Sequence, residues 1–159
     1  MALKRLIDVS TGVIVPAAEL EKDPLPNAVA LMTLPEAISK SGALPEGAVR
    51  LALELDGLET DEQLNALKTL NPVMLLNNPS PSLSHLHSSR RLFEFLKSSS
   101  LTPPVVHVFT SETIADKNEL ALQIGMRLGS LLTDGLGDGV CLDVNGPTRF
   151  TVNQLRELR

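Results

Sequence analysis

Cysteine is almost missing from these 159 residues, and Cys141 stands alone. One cysteine excludes a disulfide framework and any metal or cluster site built from several thiolates of a single copy. Tryptophan and tyrosine are absent, and four phenylalanines make up all of the 3% aromatic content. Single-stranded nucleic acid would find no stacking platform here. Basic residues are outnumbered, 14 against 19 acidic, for a net charge of −5, the wrong sign for a phosphate backbone. No apolar run approaches the ~20 residues that span a bilayer. Met1-Ala2-Leu3-Lys4-Arg5 leads into no signal-peptide core. The expectation is a protein without nucleic-acid or membrane partners. What is present, 43% hydrophobic and 21% charged residues, suits one globular domain with a real core.

Short β-rich apolar runs alternate with longer helical patterns. The runs are Ala28 to Leu34, Val49 to Leu55, Val73 to Leu76, Val105 to Phe109 and Val140 to Val144, with Val13 to Val15 a weaker sixth. They are nearly continuous in Val, Leu and Met, which predicts parallel strands covered on both faces. Leu3, Leu6 and Ile7 fall on one face of an opening helix, and Asp61 to Leu70 reads as another. Ser82 is placed to cap a helix with Leu83, Leu86, Phe93 and Leu96 along one stripe and Arg90 and Arg91 outward. The longest helix starts near Thr113, where Thr113 and Asp116 match a capping box. It carries Leu120, Ile124, Leu128 and Leu131, with Gly125 and Gly129 for close packing, and stops at Gly135. This rhythm predicts an α/β fold of five or six mostly parallel strands alternating with helices, either an open sheet or a partial (β/α) barrel.

Candidate chemistry is sparse. Asp134-Gly135-Leu136-Gly137-Asp138-Gly139 is the densest glycine signal. A dinucleotide fingerprint runs from strand to helix, whereas here a helix leads in and a strand follows. That order favours a tight helix-to-strand turn; a ligand loop using Asp134, Gly135, Gly137, Asp138 and Gly139 is the second reading. His85 and His87 are two apart, a spacing that does not converge on a helix, and His107 lies on a strand that reads as buried. Cys141 reads as a small buried hydrophobe rather than a nucleophile. Ser10, Ser111 and Ser98-Ser99-Ser100 lack a nucleophile-elbow context and read as caps and loops. Asp8, Asp56 and Asp143 sit near element ends, where catalytic carboxylates of α/β folds are found, yet the spacing chooses none. No catalytic, cofactor-binding or metal residue is assigned.

Three stretches carry a resemblance. The first is Ala2 to Ser10 followed by Gly12-Val13-Ile14, the second Arg90-Arg91-Leu92-Phe93-Glu94-Phe95-Leu96, and the third Leu131-Leu132 with Asp134 to Val140. Together with Leu25-Pro26-Asn27-Ala28 and Leu44-Pro45-Glu46-Gly47, in this order, they resemble plant-type 4-hydroxy-3-methylbut-2-enyl diphosphate synthase. This is the iron–sulfur oxidoreductase family of the methylerythritol phosphate route to isoprenoids, also called GcpE or IspG. The likeness runs from residue 2 to about residue 144. It implies a family enzyme with an N-terminal (β/α) barrel for the cyclic diphosphate and a C-terminal domain holding a 4Fe–4S cluster on three Cys and one Glu. Between them plant-type members insert a further barrel-like domain, and this sequence resembles the later part of that insert.

The cluster ligands have no counterpart here. Val144-Asn145-Gly146-Pro147 is similar to a segment near one ligand Cys of the family, but Cys141 stands four residues before Asn145 rather than three. Thr148-Arg149 replaces the family's Gly-Glu. The resemblance therefore implies an insert domain over residues 1–144, a tail over 145–159 with the pattern of a short helix, and no cofactor in this chain. The expected role is structural, a spacer inactive alone, whose partners are the substrate barrel and cluster domain of the same parent, with ferredoxin feeding the parent. A plastid stroma or a bacterial cytoplasm is the implied location. Two alternatives stand beside it: a self-sufficient α/β domain binding a small phosphorylated metabolite at the 134–139 loop, and an assembly partner using the Arg90-Arg91 helix.

Overall fold

The computed structural model describes residues 13–111 and 117–144. The expected opening helix, Asp8, Ser10, the Thr113 and Asp116 capping box and the 145–159 tail lie outside the described residues. The elements alternate as read: β1 (Ile14–Pro16), α1 (Ala17–Leu20), β2 (Ala28–Thr33), α2 (Leu34–Ser39), β3 (Ala48–Leu55), α3 (Asp61–Asn65), α4 (Leu67–Leu70), β4 (Met74–Asn77), α5 (His85–Ser98), β5 (Val105–Ser111), α6 (Lys117–Thr133) and β6 (Gly139–Val144). The weak Val13 to Val15 run is thus a strand.

Among the described residues all five strand pairings are parallel, and the spatial order is the sequence order, β1 to β6. Each crossover steps the same way. Since such crossovers are right-handed, stepping in one direction places every helix on the same face. The result is a curled half-barrel. Strand parity confirms the layering. Leu51, Leu53, Leu55, Leu75 and Val105 join Leu34, Ala37, Leu64, Leu67, Leu92 and Leu96 in one cluster. Phe109 joins Leu120, Leu128 and Leu131, with Val140 and Leu142 packed against them. Ala28 and Ala30 close a third around Leu20.

The alternate residues point the other way: Val29, Leu31, Ala52, Met74, Leu76, Val106, Val108 and Cys141, in register across the sheet. None of the described helices covers them. This corrects the expectation of two covered faces. The apolar residues of both parities are real, but the described helices satisfy one. Curl still brings Ala52 to 0% and Leu76 to 7% exposure, while Val29, Leu31, Met74, Val106 and Val108 stay half-buried.

Local details differ where polar chemistry competes with pattern. The Asp61 to Leu70 helix is two short helices meeting at Ala66, the first opened by a capping box of Thr60 and Gln63. Ser84, not Ser82, caps α5, accepting from the His87 N–H, because the Ser82 hydroxyl is engaged with Ser80 in the preceding turn. The buried stripe of α5 runs through Ser89, Leu92 and Leu96. Leu83 precedes the helix and Phe93 is only partly buried, since Ser89 holds a core position that an apolar pattern passes over. Gly125 and Gly129 have open space where a Cβ would go, so they face away from the packing rather than into it.

Candidate functional site

The 134–139 stretch is where the sequence concentrates glycine, and its geometry follows from helix termination. Thr133 ends α6, and Gly135 takes φ +72°. The Leu136 N–H then reaches back to the Leu131 carbonyl at 2.8 Å and the Gly135 N–H to Leu132 at 3.1 Å, the paired bonds of a Schellman ending. Leu136 and Leu131 meet in the same apolar cluster, as that ending favours. Asp138 fastens the turn to β5 twice. Its N–H donates to the Val105 carbonyl at 2.7 Å, and its carboxylate accepts the Val105 N–H at 2.8 Å. The Asp134 N–H is spent on Ser130, and its carboxylate lies 3.7 Å from Arg90 at the surface. The N–H groups of Asp134, Gly135, Leu136 and Asp138 are therefore all used inside the chain. The loop also feeds the N-terminal end of β6, opposite the strand ends at which α/β folds bind ligands.

Gly137 is required by closeness. A Cβ there would stand 2.6 Å from Nε2 of His107, at φ +149°. His107 is fully buried on β5, and its Nε2 lies 2.6 Å from the Leu136 carbonyl. A carbonyl only accepts, so Nε2 of His107 bears a hydrogen directed at Leu136. Its Nδ1 lies 3.2 Å from Asn77 Nδ2 and 3.2 Å from His85 Nε2. Asn77 also donates to Ser89 Oγ at 2.8 Å, and Ser89 donates to the His85 carbonyl at 2.7 Å. Burial, followed by the nearby His107 and the Arg127 charge, pushes His85 down to about 4. A core network of two histidines, Asn77 and Ser89 thus joins β4, β5, α5 and the turn into β6. His87 stays exposed and outside it. The spacing of His85 and Ser89, four residues apart on one helix face, was the available sequence signal; the approach of His85 to His107 was not, because it is tertiary.

At the C-terminal end of β3, Asp56 caps its own turn by accepting the Leu58 N–H at 2.9 Å. Glu59 is buried and accepts from Asp56 N–H at 2.7 Å and Gly57 N–H at 3.0 Å. Desolvation raises its carboxyl above the usual range. Arg91 clasps the loop, donating to the Glu59 carbonyl at 2.6 Å and to Asp61 at 3.1 Å. A cavity of about 10 Å³ remains between Glu59, Asn77 and Arg91, no more than a water's room. Asp56 and Glu59 are turn-builders here.

Cys141 is exposed, contrary to the buried hydrophobe expected, because it projects from the outermost described strand on the helix-free side. What burial its thiol has, with the carboxylates of Asp143 and Glu54, pushes it up, away from thiolate chemistry. Asp143, exposed and in register with Thr110, stands on the same side. Among the described residues no three of His, Cys, Asp and Glu are placed to hold a metal ion. A 4Fe–4S cluster held on three cysteines does not fit a chain with one, and that one is exposed at a sheet edge.

An all-parallel sheet in sequence order with its described helices on one face defines the class, a β/α half-barrel. No family model matches the sequence, and no solved structure matches it. Curated proteins do. The chain is 45% identical over 149 residues to 4-hydroxy-3-methylbut-2-en-1-yl diphosphate synthase (ferredoxin), chloroplastic, of Arabidopsis thaliana, covering 90% of this chain and 20% of that protein. It is 41% identical over 150 residues to the protein of the same description in Oryza sativa subsp. japonica, with the same coverage. The flavodoxin form of Protochlamydia amoebophila is 37% identical over 100 residues, 63% of this chain and 14% of that protein. Over nine-tenths of its length the chain is homologous to the plant-type 4-hydroxy-3-methylbut-2-en-1-yl diphosphate synthases, and it spans about one fifth of the length of the two plant relatives. No described helix is long and apolar enough to cross a membrane.

Proposed function

We propose that this chain is the later part of the insert domain of such a synthase and acts as a structural spacer between the parent's substrate barrel and its cluster domain. Residues 1–144 belong to the insert and 145–159 form the tail leaving it. The parent reductively opens a cyclic diphosphate with electrons from ferredoxin, in a plastid stroma or a bacterial cytoplasm. That chemistry is lodged elsewhere in the parent, and the chain alone is inactive. The observation that carries this reading is the match itself: nine-tenths of the chain aligns with one fifth of the relatives. The six described strands, at about 4.8 Å spacing, make a body about 24 Å wide along the sheet, a rigid distance-setter between two flanking domains. Such a spacer contributes to catalysis by letting the flanking domains close in register and exclude water.

The test is transplantation. The matching segment of the Arabidopsis synthase is replaced by this chain, and turnover and cluster absorbance are measured. The spacer reading predicts a hybrid that keeps its cluster and most of its turnover. A hybrid that keeps its cluster, is folded, and has no turnover would refute it. Saturable binding of a phosphorylated metabolite to this chain, lost in Gly137→Val at unchanged fold, would instead establish the 134–139 loop as a ligand site.

A further inference from the structure

We propose that the outer face of α6 binds a second copy of this chain, helix against antiparallel helix, with Gly125 and Gly129 as the gaps that receive its side chains. Both glycines lie inside α6, yet a Cβ at either would meet nothing within 4 Å. Glycine in a helix interior is destabilising, and no described contact inside the chain offsets it. The two share a stripe with Leu122 and Met126, at positions i, i+3, i+4 and i+7. At 62% and 69% exposure, Leu122 and Met126 are the most exposed large apolar side chains among the described residues. No charged residue lies on this stripe, whereas the exposed face of α5 carries Arg90, Glu94 and Lys97. With about 100° between successive residues, the stripe lies opposite Leu120, Leu128 and Leu131, the side that α6 buries. A neighbouring helix of the same sheet packs from beside and does not reach it. The occupant comes from another body.

The stripe is its own complement. In an antiparallel pair with a two-fold axis between residues 125 and 126, Leu122 faces Gly129 of the second copy and Met126 faces Gly125. Each large side chain thus enters a gap, and Ala121 faces Ser130, small against small. A parallel pair would instead set Leu122 on Leu122 and Gly125 on Gly125. Glycine at the contacts lets the two axes approach toward the ~8 Å end of the range for packed helices. No charge is desolvated by this pairing, so the gain from covering Leu122 and Met126 is not cancelled. The contact is small, one helix face on each side, and falls well short of the ~1,200 Å² of a stable interface. The dimer is therefore weak and concentration-dependent. It stands apart from the spacer reading, since a hybrid synthase could work with this face covered or bare.

Sedimentation equilibrium of the full chain tests this, with a reductant present so that the exposed Cys141 forms no disulfide. The proposal predicts the mass of one chain at about 1 μM and a rise toward two by about 1 mM. Gly125→Leu fills a gap with a good helix former in open space, so helix content by circular dichroism holds or increases. Association should nevertheless weaken by about tenfold or more, because Met126 of the second copy then meets a side chain. Met126→Lys, at an exposed position, should weaken it by a similar factor at unchanged helix content. A chain that stays single across the whole range would overturn the proposal. So would a dimer that withstands both substitutions, which would have to form elsewhere, as on the helix-free side of the sheet.

Discussion

Leu53 and its neighbour Ala52 are both wholly buried on β3, yet by different means. Leu53 lies among Leu34, Leu64, Leu67 and Leu92, in a core that the chain's own helices complete. Ala52 faces the helix-free side with Leu31 and Met74 beside it in register, and the surrounding Val29, Val106 and Val108 remain half-buried. The helix side is a finished interface. The other side is apolar in composition but relies on sheet curl for what burial it has. Strands that are hydrophobic at both parities ask for two dry faces, and the described helices supply one.

The largest effect should come from the finished side. Leu53→Ala removes a fully buried side chain from a packed cluster, and urea unfolding should register a loss of about 3 kcal/mol. Gly137→Val comes next. It forces a Cβ against the His107 ring at a backbone angle that side chains avoid, and should cost about 2 kcal/mol, with β6 losing exchange protection first. Asp138→Ala removes the carboxylate that takes the Val105 N–H, at about 1 kcal/mol in the same titration. The smallest effect belongs to the open side, where Leu31→Ala should cost under about 1 kcal/mol because water already reaches the residue. Equal costs for Leu31→Ala and Leu53→Ala would erase the contrast between the faces. In a chain extended by its parental neighbours, a rising cost for Leu31→Ala would show that the open side is completed from outside this segment.

Much of the fold was legible. Each of the six apolar runs is a strand, the Leu120, Ile124, Leu128 and Leu131 stripe packs inward, and Gly135 ends α6 by the left-handed turn that glycine suits. The one-sided layering was not legible, because runs apolar at both parities carry no mark of which side receives helices. Cys141 was misplaced for a related reason: an apolar neighbourhood in sequence says nothing about lying on an outermost strand. His85 and His107 are 22 residues apart and meet only through the packing of α5 on β5, whereas the helix-then-strand order around the glycine loop already favoured the tight turn that its N–H groups form.

The central claim is that this chain is one segment of a longer synthase, and sequencing the transcript on both sides of it tests that claim most directly. The account predicts one open frame encoding a substrate barrel upstream and a domain with three cysteines and one glutamate downstream. A transcript whose frame starts at Met1 and stops after Arg159 would contradict it.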